Sequence, residues 1–207
     1  MVGADPVGGL PRVLRAPVRK EAALLSFRRL DTRIEGLVLI EPSVFTDDRG
    51  FFFETFRQED YRNLGVDVEF VQDNHSRSTR STVRALHFQL QPGQAKLIRA
   101  ARGTIFDVAV DLRRDSPTFG EYEAFELSDE NFRQLFVPVG FAHGFCVTSE
   151  VADVAYKVST YYEGETERGI AFDDPAIGVP WPTDQPLVSE RDRSNPTLEE
   201  ISPQLPW

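Results

Sequence analysis

The chain has 207 residues, 33 of them acidic against 23 basic, and a formal net charge of −10. That length suits one all-β domain, and the acidity argues against sequence-independent nucleic-acid binding, which draws its affinity from Lys and Arg on phosphates. One cysteine, Cys146, excludes an internal disulfide and a Cys-rich zinc site; no stretch nears about 18 consecutive apolar residues, so no membrane contact is expected and the cytoplasm is the expected compartment.

Residues 1–33 carry seven basic and three acidic side chains, a net of +4, which leaves −14 for the remainder. We read 1–33 as a flexible basic extension and 34–207 as the folded domain. From residue 34 the pattern is strand after strand. The run 36–40 is apolar and ends at Pro42. The run 50–56 is aromatic-rich and follows the turn residues Asp47, Asp48 and Arg49. Residues 57–64 read as one short helix stopped by Gly65. Strands are expected at 70–74 and 83–89. The stretch 96–112 reads as a hairpin that turns at Arg102-Gly103. In its second arm Phe106, Val108, Val110 and Leu112 alternate with Ile105, Asp107, Ala109 and Asp111, which gives a packed face and a face with two carboxylates. Further strands are expected at 121–127, 134–137, 144–148 and 151–160. Beyond Tyr162 the chain is rich in Pro, Asp and Glu, and reads as a wrap of loops with one or two helical turns. Many short strands with turn signals between them point to a sandwich or jelly-roll barrel.

Three histidines are present, His75, His87 and His143. In Arg84-Ala85-Leu86-His87-Phe88-Gln89, strict alternation puts His87 with Ala85 and Gln89, opposite Arg84. That face is either a barrel interior, the usual small-molecule site of the class, or a solvated outer face. His143 ends the run Pro138-Val139-Gly140-Phe141-Ala142-His143. Its P-x-G-x-x-H spacing resembles the second motif of cupins. Metal-binding cupins take their other ligands from an H-x-H with a following Glu. Here the matching place reads His87-Phe88-Gln89, so no metal is expected.

Several blocks carry a more specific resemblance. Asp47-Asp48-Arg49-Gly50-Phe51-Phe52-Phe53-Glu54 is similar to the D-x-R-G-x-F-x-E block of the dTDP-4-dehydrorhamnose 3,5-epimerase family. In the same register follow Phe70 to Ser76, Val83 to Gln89, Gln94 to Arg99, Phe106 to Arg113, and Ser116 to Gly120. Val137 to Phe145, Tyr156 to Tyr162 and Trp181 to Asp192 complete the match, which covers about residues 34–198.

The resemblance implies an all-β, cupin-like jelly-roll barrel with a few short helices, a homodimer that needs no cofactor. It implies a dTDP-sugar substrate, with C3 and C5 of dTDP-4-keto-6-deoxy-D-glucose inverted to give dTDP-4-keto-L-rhamnose. The chemistry is proton abstraction α to the C4 ketone and reprotonation from the other face. A mono-epimerase working at C3 or C5 of a related 4-keto sugar is the alternative. From a different class come a metal-dependent cupin and a non-catalytic sugar-binding cupin. By resemblance His87 is the general base, Asp192 its carboxylate partner, Lys96 the cation at the enolate oxygen and Tyr156 the general acid. Tyr162 matches the residue that stacks on thymine, and Arg49 and Arg84 match those that hold the pyrophosphate. Phe52, Glu54, Gln72, Asp73, Asn74, His143, Glu167 and Arg191 fall on substrate-binding positions. Ala85 and Ala95 stand where the family usually has Gly, each expected to add a methyl where the backbone approaches the ligand.

Overall fold

A computed structural model describes residues 26–207. Among them are thirteen strands: β1 (Phe27–Leu30), β2 (Val38–Pro42), β3 (Phe45–Asp47), β4 (Gly50–Phe52), β5 (Gln72–Thr79), β6 (Val83–Gln89), β7 (Lys96–Arg102), β8 (Thr104–Asp111), β9 (Tyr122–Ser128), β10 (Gln134–Val137), β11 (Phe141–Val147), β12 (Val151–Val158) and β13 (Glu167–Gly169). Short helices sit at Gln58–Asn63 (α1), Glu190–Arg193 (α2) and Leu198–Ile201 (α3). A six-stranded sheet, in the order β1-β2-β10-β7-β12-β5, faces a five-stranded one, β13-β6-β11-β8-β9. Every pairing within them is antiparallel. This is the expected cupin-like jelly roll, a closure that shields most strand edges.

Of the expected extension, residues 1–25 lie outside the described residues. Its last part is corrected: Phe27–Leu30 form β1, with Arg29 opposite Ile40 of β2. The folded domain therefore reaches back to residue 27 rather than 34. Phe27 is buried edge to face on Tyr61 of α1, ring centroids 4.8 Å apart. That one aromatic anchor outweighs the charges around it.

Three apolar clusters hold the barrel. The first lies between the sheets and includes Ile98, Ile105, Ala109, Leu127, Leu135, Phe145 and Val154. The second covers the outer face of the five-stranded sheet: Ala85, Leu86, Val108 and Val110 pack under Ile170, Ile177, Leu198 and Ile201. The third covers part of the outer face of the six-stranded sheet, where Tyr61 and Val66 meet Ile40, Leu97 and Phe136. Both faces of β8 are thus buried. Its carboxylate face looks into the barrel, and its all-apolar face is sealed by the C-terminal wrap.

The expected 96–112 hairpin does not form. β7 pairs with β10 and β12, and β8 with β11 and β9, so the chain crosses from one sheet to the other at Gly103. Gly103 has φ +71°, and a Cβ there would come 2.1 Å from the Val151 carbonyl oxygen. Only glycine fits so sharp a corner. Alternation within each arm was sound, but it does not say which strand an arm pairs with.

Strict alternation also fails in β6. Between the His143–His87 and Phe145–Arg84 pairs, β11 advances two residues and β6 three. This bulge turns both Ala85 and Leu86 outward into the second cluster, so Arg84 and His87 share the inner face. A bulge that re-aims side chains is common beside active sites. Gly144 makes room for it: a Cβ there would meet the Ala85 Cβ at 2.6 Å and the Arg84 carbonyl oxygen at 2.9 Å. Gly144→Ala is therefore expected to cost about 1–3 kcal/mol through overpacking. A denaturant melt checks the stability, and the activity should fall with it as the bulge shifts. The bulge also corrects the expectation for Ala85, whose methyl is buried away from the interior. The Ala95 methyl is likewise buried, in the third cluster. Neither methyl lines the cavity described next.

Candidate active site

A cavity of about 140 Å³ opens between the two sheets. Arg84 and His87 from β6 and His143 and Phe145 from β11 form one wall. Ser76 from β5, Lys96 from β7 and Val154 and Tyr156 from β12 form the other. The volume is below the roughly 300–1,000 Å³ of pockets that enclose a drug-sized ligand, so it fits one ring with the rest of a ligand along the rim. A larger hollow of about 340 Å³ opens beside Asp73, Arg99 and Lys157. Its one histidine, His75, is exposed and lies 3.6 Å from Asp153, and Lys96 does not line it; we assign the chemistry to the smaller one, which holds His87, His143 and Lys96.

His87 Nε2 lies 2.7 Å from Asp192 Oδ1. Asp192 is buried and comes from the first turn of α2, where its N–H donates to the Ser189 side chain at 3.1 Å. Burial pushes the Asp192 carboxyl up, but His87 and the Ala85 N–H outweigh it and hold it below the usual range. An ionised carboxylate on Nε2 keeps the proton there and leaves Nδ1 of His87 bare. His87 thus has the tautomer, orientation and counter-charge of a general base.

Lys96 reaches the His87 carbonyl oxygen with Nζ at 3.4 Å. Burial lowers its pKa to about 8, against the opposing pull of Glu167 and Asp107. Tyr156 packs on the inner core; burial raises its pKa, partly offset by Arg84. Alternation predicted that Tyr156 would lie with Val154, and both line the cavity. Arg84 donates from Nε to Ser78 at 3.0 Å. Among the described residues it makes no ion pair, so its terminal nitrogens are available to an anion.

His143 is buried, with Nε2 2.9 Å from Asp107 Oδ2. It is the direct cross-strand partner of His87. Two histidines with two aspartates therefore stand side by side on one wall. The family resemblance gives Asp107 no role; its signal in the sequence is a carboxylate that alternates with Ile105 and Ala109 on the face that also carries Asp111.

A polar rim continues from the cavity. Tyr162 donates its hydroxyl to Glu167 at 2.9 Å, and Arg191 donates to the same oxygen at 2.5 Å. The Tyr162 N–H donates to Gln72 at 3.2 Å, and Gln72 donates to Asn74 at 2.9 Å. The structure thus brings together His87, Asp192, Lys96, Tyr156, Arg84 and His143, with Gln72, Asn74, Tyr162, Glu167 and Arg191 around them. It does not bring in four others. Asp73 alternates to the outer face of β5 and pairs with Lys157 at 2.8 Å. Arg49 pairs with Asp47 in its own β3–β4 hairpin at 2.5 Å. Phe52 is 68% exposed there, and Glu54 pairs with Arg57. Among the described residues no group of three His, Cys, Asp or Glu side chains could hold a metal.

The sequence model of the dTDP-4-dehydrorhamnose 3,5-epimerase family matches residues 31–200. The chain belongs to that family. Within it, the chain is 52% identical to the 3,5-epimerase of Pseudomonas aeruginosa over 162 residues, 77% of this chain and 90% of that one. It is 48% identical to the enzyme of Methanothermobacter thermautotrophicus over 180 residues, 86% of this chain and 97% of that one. A crystal structure from Legionella pneumophila, a dTDP-6-deoxy-D-glucose-3,5-epimerase in complex with dTDP-4-keto-L-rhamnose, superposes with a TM-score of 0.83 at 44% identity, covering 86% of this chain and 96% of that one. As a family member the chain is an isomerase. Among its described residues no helix is long and apolar enough to cross a membrane.

Proposed function

We propose that this chain inverts C3 and C5 of dTDP-4-keto-6-deoxy-D-glucose to give dTDP-4-keto-L-rhamnose. One observation carries the reading: a carboxylate-paired imidazole and a protonated phenol enter a ring-sized cavity from opposite sheets, with a lysine on the strand beside the phenol lining the same cavity. Inversion next to a ketone needs a base on one face, an acid on the other and a positive charge at the enolate oxygen. His87 Nδ1 takes the proton, and Asp192 stabilises the imidazolium that forms. The Lys96 ammonium takes the negative charge that develops on the C4 oxygen. Tyr156 delivers a proton from the opposite wall. Both carbons flank the same carbonyl, so one base and one cation serve both.

The rest of the ligand follows the rim. Arg84 holds the pyrophosphate through its free guanidinium nitrogens, and Tyr162 stacks on thymine. Gln72, Asn74, His143, Glu167 and Arg191 orient the sugar and nucleotide. Arg49 and Phe52 belong to a hairpin that has no strand partner outside itself among the described residues, and Glu54 lies two residues beyond it. Phe45, Phe51 and Phe52 are exposed on it, an apolar patch that suits an interface. The chain works as a homodimer, with the hairpin of a second copy closing the cavity. Sedimentation analysis tests this, and a monomer at working concentration would overturn it. A pyrophosphate-bearing substrate does not cross a membrane unaided, so the enzyme acts in the cytoplasm.

The deciding experiment is turnover in deuterated water followed by NMR. Deuterium at both C3 and C5 with dTDP-4-keto-L-rhamnose as product is the expected result. Exchange and inversion at one carbon only would make the chain a mono-epimerase, and binding with no exchange would make it a sugar-binding module. Because the acid–base and cationic roles all fall to side chains, turnover is expected to survive chelation unchanged. Loss of activity on chelation, restored by a metal, would overturn that expectation.

A further inference from the structure

Asp107 has no part in the reaction as described, yet its side chain is wholly buried beside the cavity. β8 sends it inward with Ile105 and Ala109. Its Oδ2 engages His143, and its Oδ1 is buried with no hydrogen-bond partner among the described residues. A buried, half-satisfied carboxylate is costly unless its charge is used. We propose that Asp107 is a positioning residue of the epimerase site: one oxygen fixes the His143 ring, and the other is the counter-charge inside the barrel for the Lys96 ammonium. The proposal rests on the reading of Lys96 as the cation at the enolate oxygen.

The first half follows from donor and acceptor chemistry. A carboxylate only accepts, so His143 carries its proton on Nε2. Nδ1 has no partner among the described residues and is left as an acceptor for a sugar hydroxyl. Strand pairing sets His143 directly across from His87. Holding one ring therefore fixes its spacing from the base.

The second half follows from the charges around Lys96. Arg84 and His87 from β6, His143 from β11 and Tyr156 from β12 line the cavity with it, and the carboxylates that act on it are Glu167 from β13 and Asp107 from β8. Burial favours the neutral amine, and Glu167 and Asp107 oppose it. One Glu167 oxygen already accepts from Tyr162 and Arg191. Asp107 likewise has one oxygen engaged, by His143, and one without a partner among the described residues; it differs from Glu167 in being wholly buried, where Glu167 is 14% exposed.

The test uses the full chain, whose only lysines are Lys20, Lys96 and Lys157 and whose only histidines are His75, His87 and His143. So few signals can be followed individually by NMR. With carbon-labelled lysine, Lys96→Met identifies the Lys96 resonance. In Asp107→Asn the Lys96 midpoint is expected to fall by about one unit. Less ammonium then remains at a given pH, so the alkaline limb of kcat/KM moves to lower pH by the same amount. A purely structural role would lower the rate without moving either midpoint. An unchanged Lys96 midpoint in a folded Asp107→Asn protein overturns the proposal. If that variant does not fold, nitrogen-labelled histidine in the wild type decides. A neutral His143 with its proton on Nε2 supports the proposal, and a proton on Nδ1 overturns it. Full activity in Lys96→Met would instead overturn the reading of Lys96, which separates the two failures.

Discussion

His87→Asn is expected to abolish epimerisation at C3 and C5 together, with each rate falling about 10²–10⁴-fold, the usual effect of losing a general base. His87 is the cavity's one imidazole paired with Asp192. His143 beside it is tied by the same nitrogen to Asp107. Asparagine superposes on Nδ1 rather than on the Nε2 that bonds Asp192, so the buried carboxylate keeps the Ala85 N–H and loses its imidazole partner, at a cost of about 1–3 kcal/mol. A variant that still melts cooperatively above the assay temperature shows that the rate loss reports chemistry rather than collapse. The measurement is deuterium wash-in at C3 and C5, with the variant beside the wild type. Near-normal exchange at either carbon would show that a second group, with His143 the nearest, serves as a base. A fall confined to one carbon would divide the two steps between two bases.

Much of this site was legible before the fold was known, and the parts that were not share a cause. β6 and β10 were read with their observed limits, and β12 nearly so, because their composition and flanking turns are local signals. Tyr156 was placed beside Val154 by alternation alone. Arg84 was placed on the wrong face because a bulge depends on the partner strand. Gly144, 60 residues further along on β11, decides where the extra residue of β6 goes. The 96–112 segment was read as a hairpin for a similar reason: its turn is sharp, but its pairing is set by β9, β10, β11 and β12. β1 was hidden in a segment judged by its charge, and β13 in one judged by its Pro, Asp and Glu content. Asp107 appeared in the alternation pattern, but only the register of β8 against β11 brings it to His143.

The block 111–120 shows the converse, a matching motif that serves the fold. Asp111 accepts from the Arg113 guanidinium at 2.7 and 2.8 Å, from Ser116 at 2.5 Å and from Thr118 at 2.7 Å. Burial raises its carboxyl, and these bonds outweigh burial, bringing it to about 2. One ionised aspartate thus ties the turn after β8, and with it the register that carries Asp107.

Tyr156→Phe is expected to separate proton exchange from inversion. His87 belongs to the five-stranded sheet and Tyr156 to the six-stranded one, so the two approach a ring between them from opposite faces. Burial raises the Tyr156 pKa, and the phenol stays protonated at neutral pH, ready to donate. Its ring packs against the inner core, and its hydroxyl makes no hydrogen bond among the described residues. Removing that oxygen leaves the packing in place and strands no partner, so stability should change little. Deprotonation by His87 is untouched, and Lys96 still holds the enolate. The carbanion is then reprotonated mainly from the side it came from. The variant should wash deuterium from solvent into the substrate at close to the wild-type rate while inverted product falls about 10²-fold or more, the usual loss when a general acid is removed. Following deuterium content and product configuration together over time reads both quantities from one sample. If exchange and inversion fall by the same factor at both carbons, the proton on the far face comes from another donor, and Tyr156 acts by holding the sugar against His87.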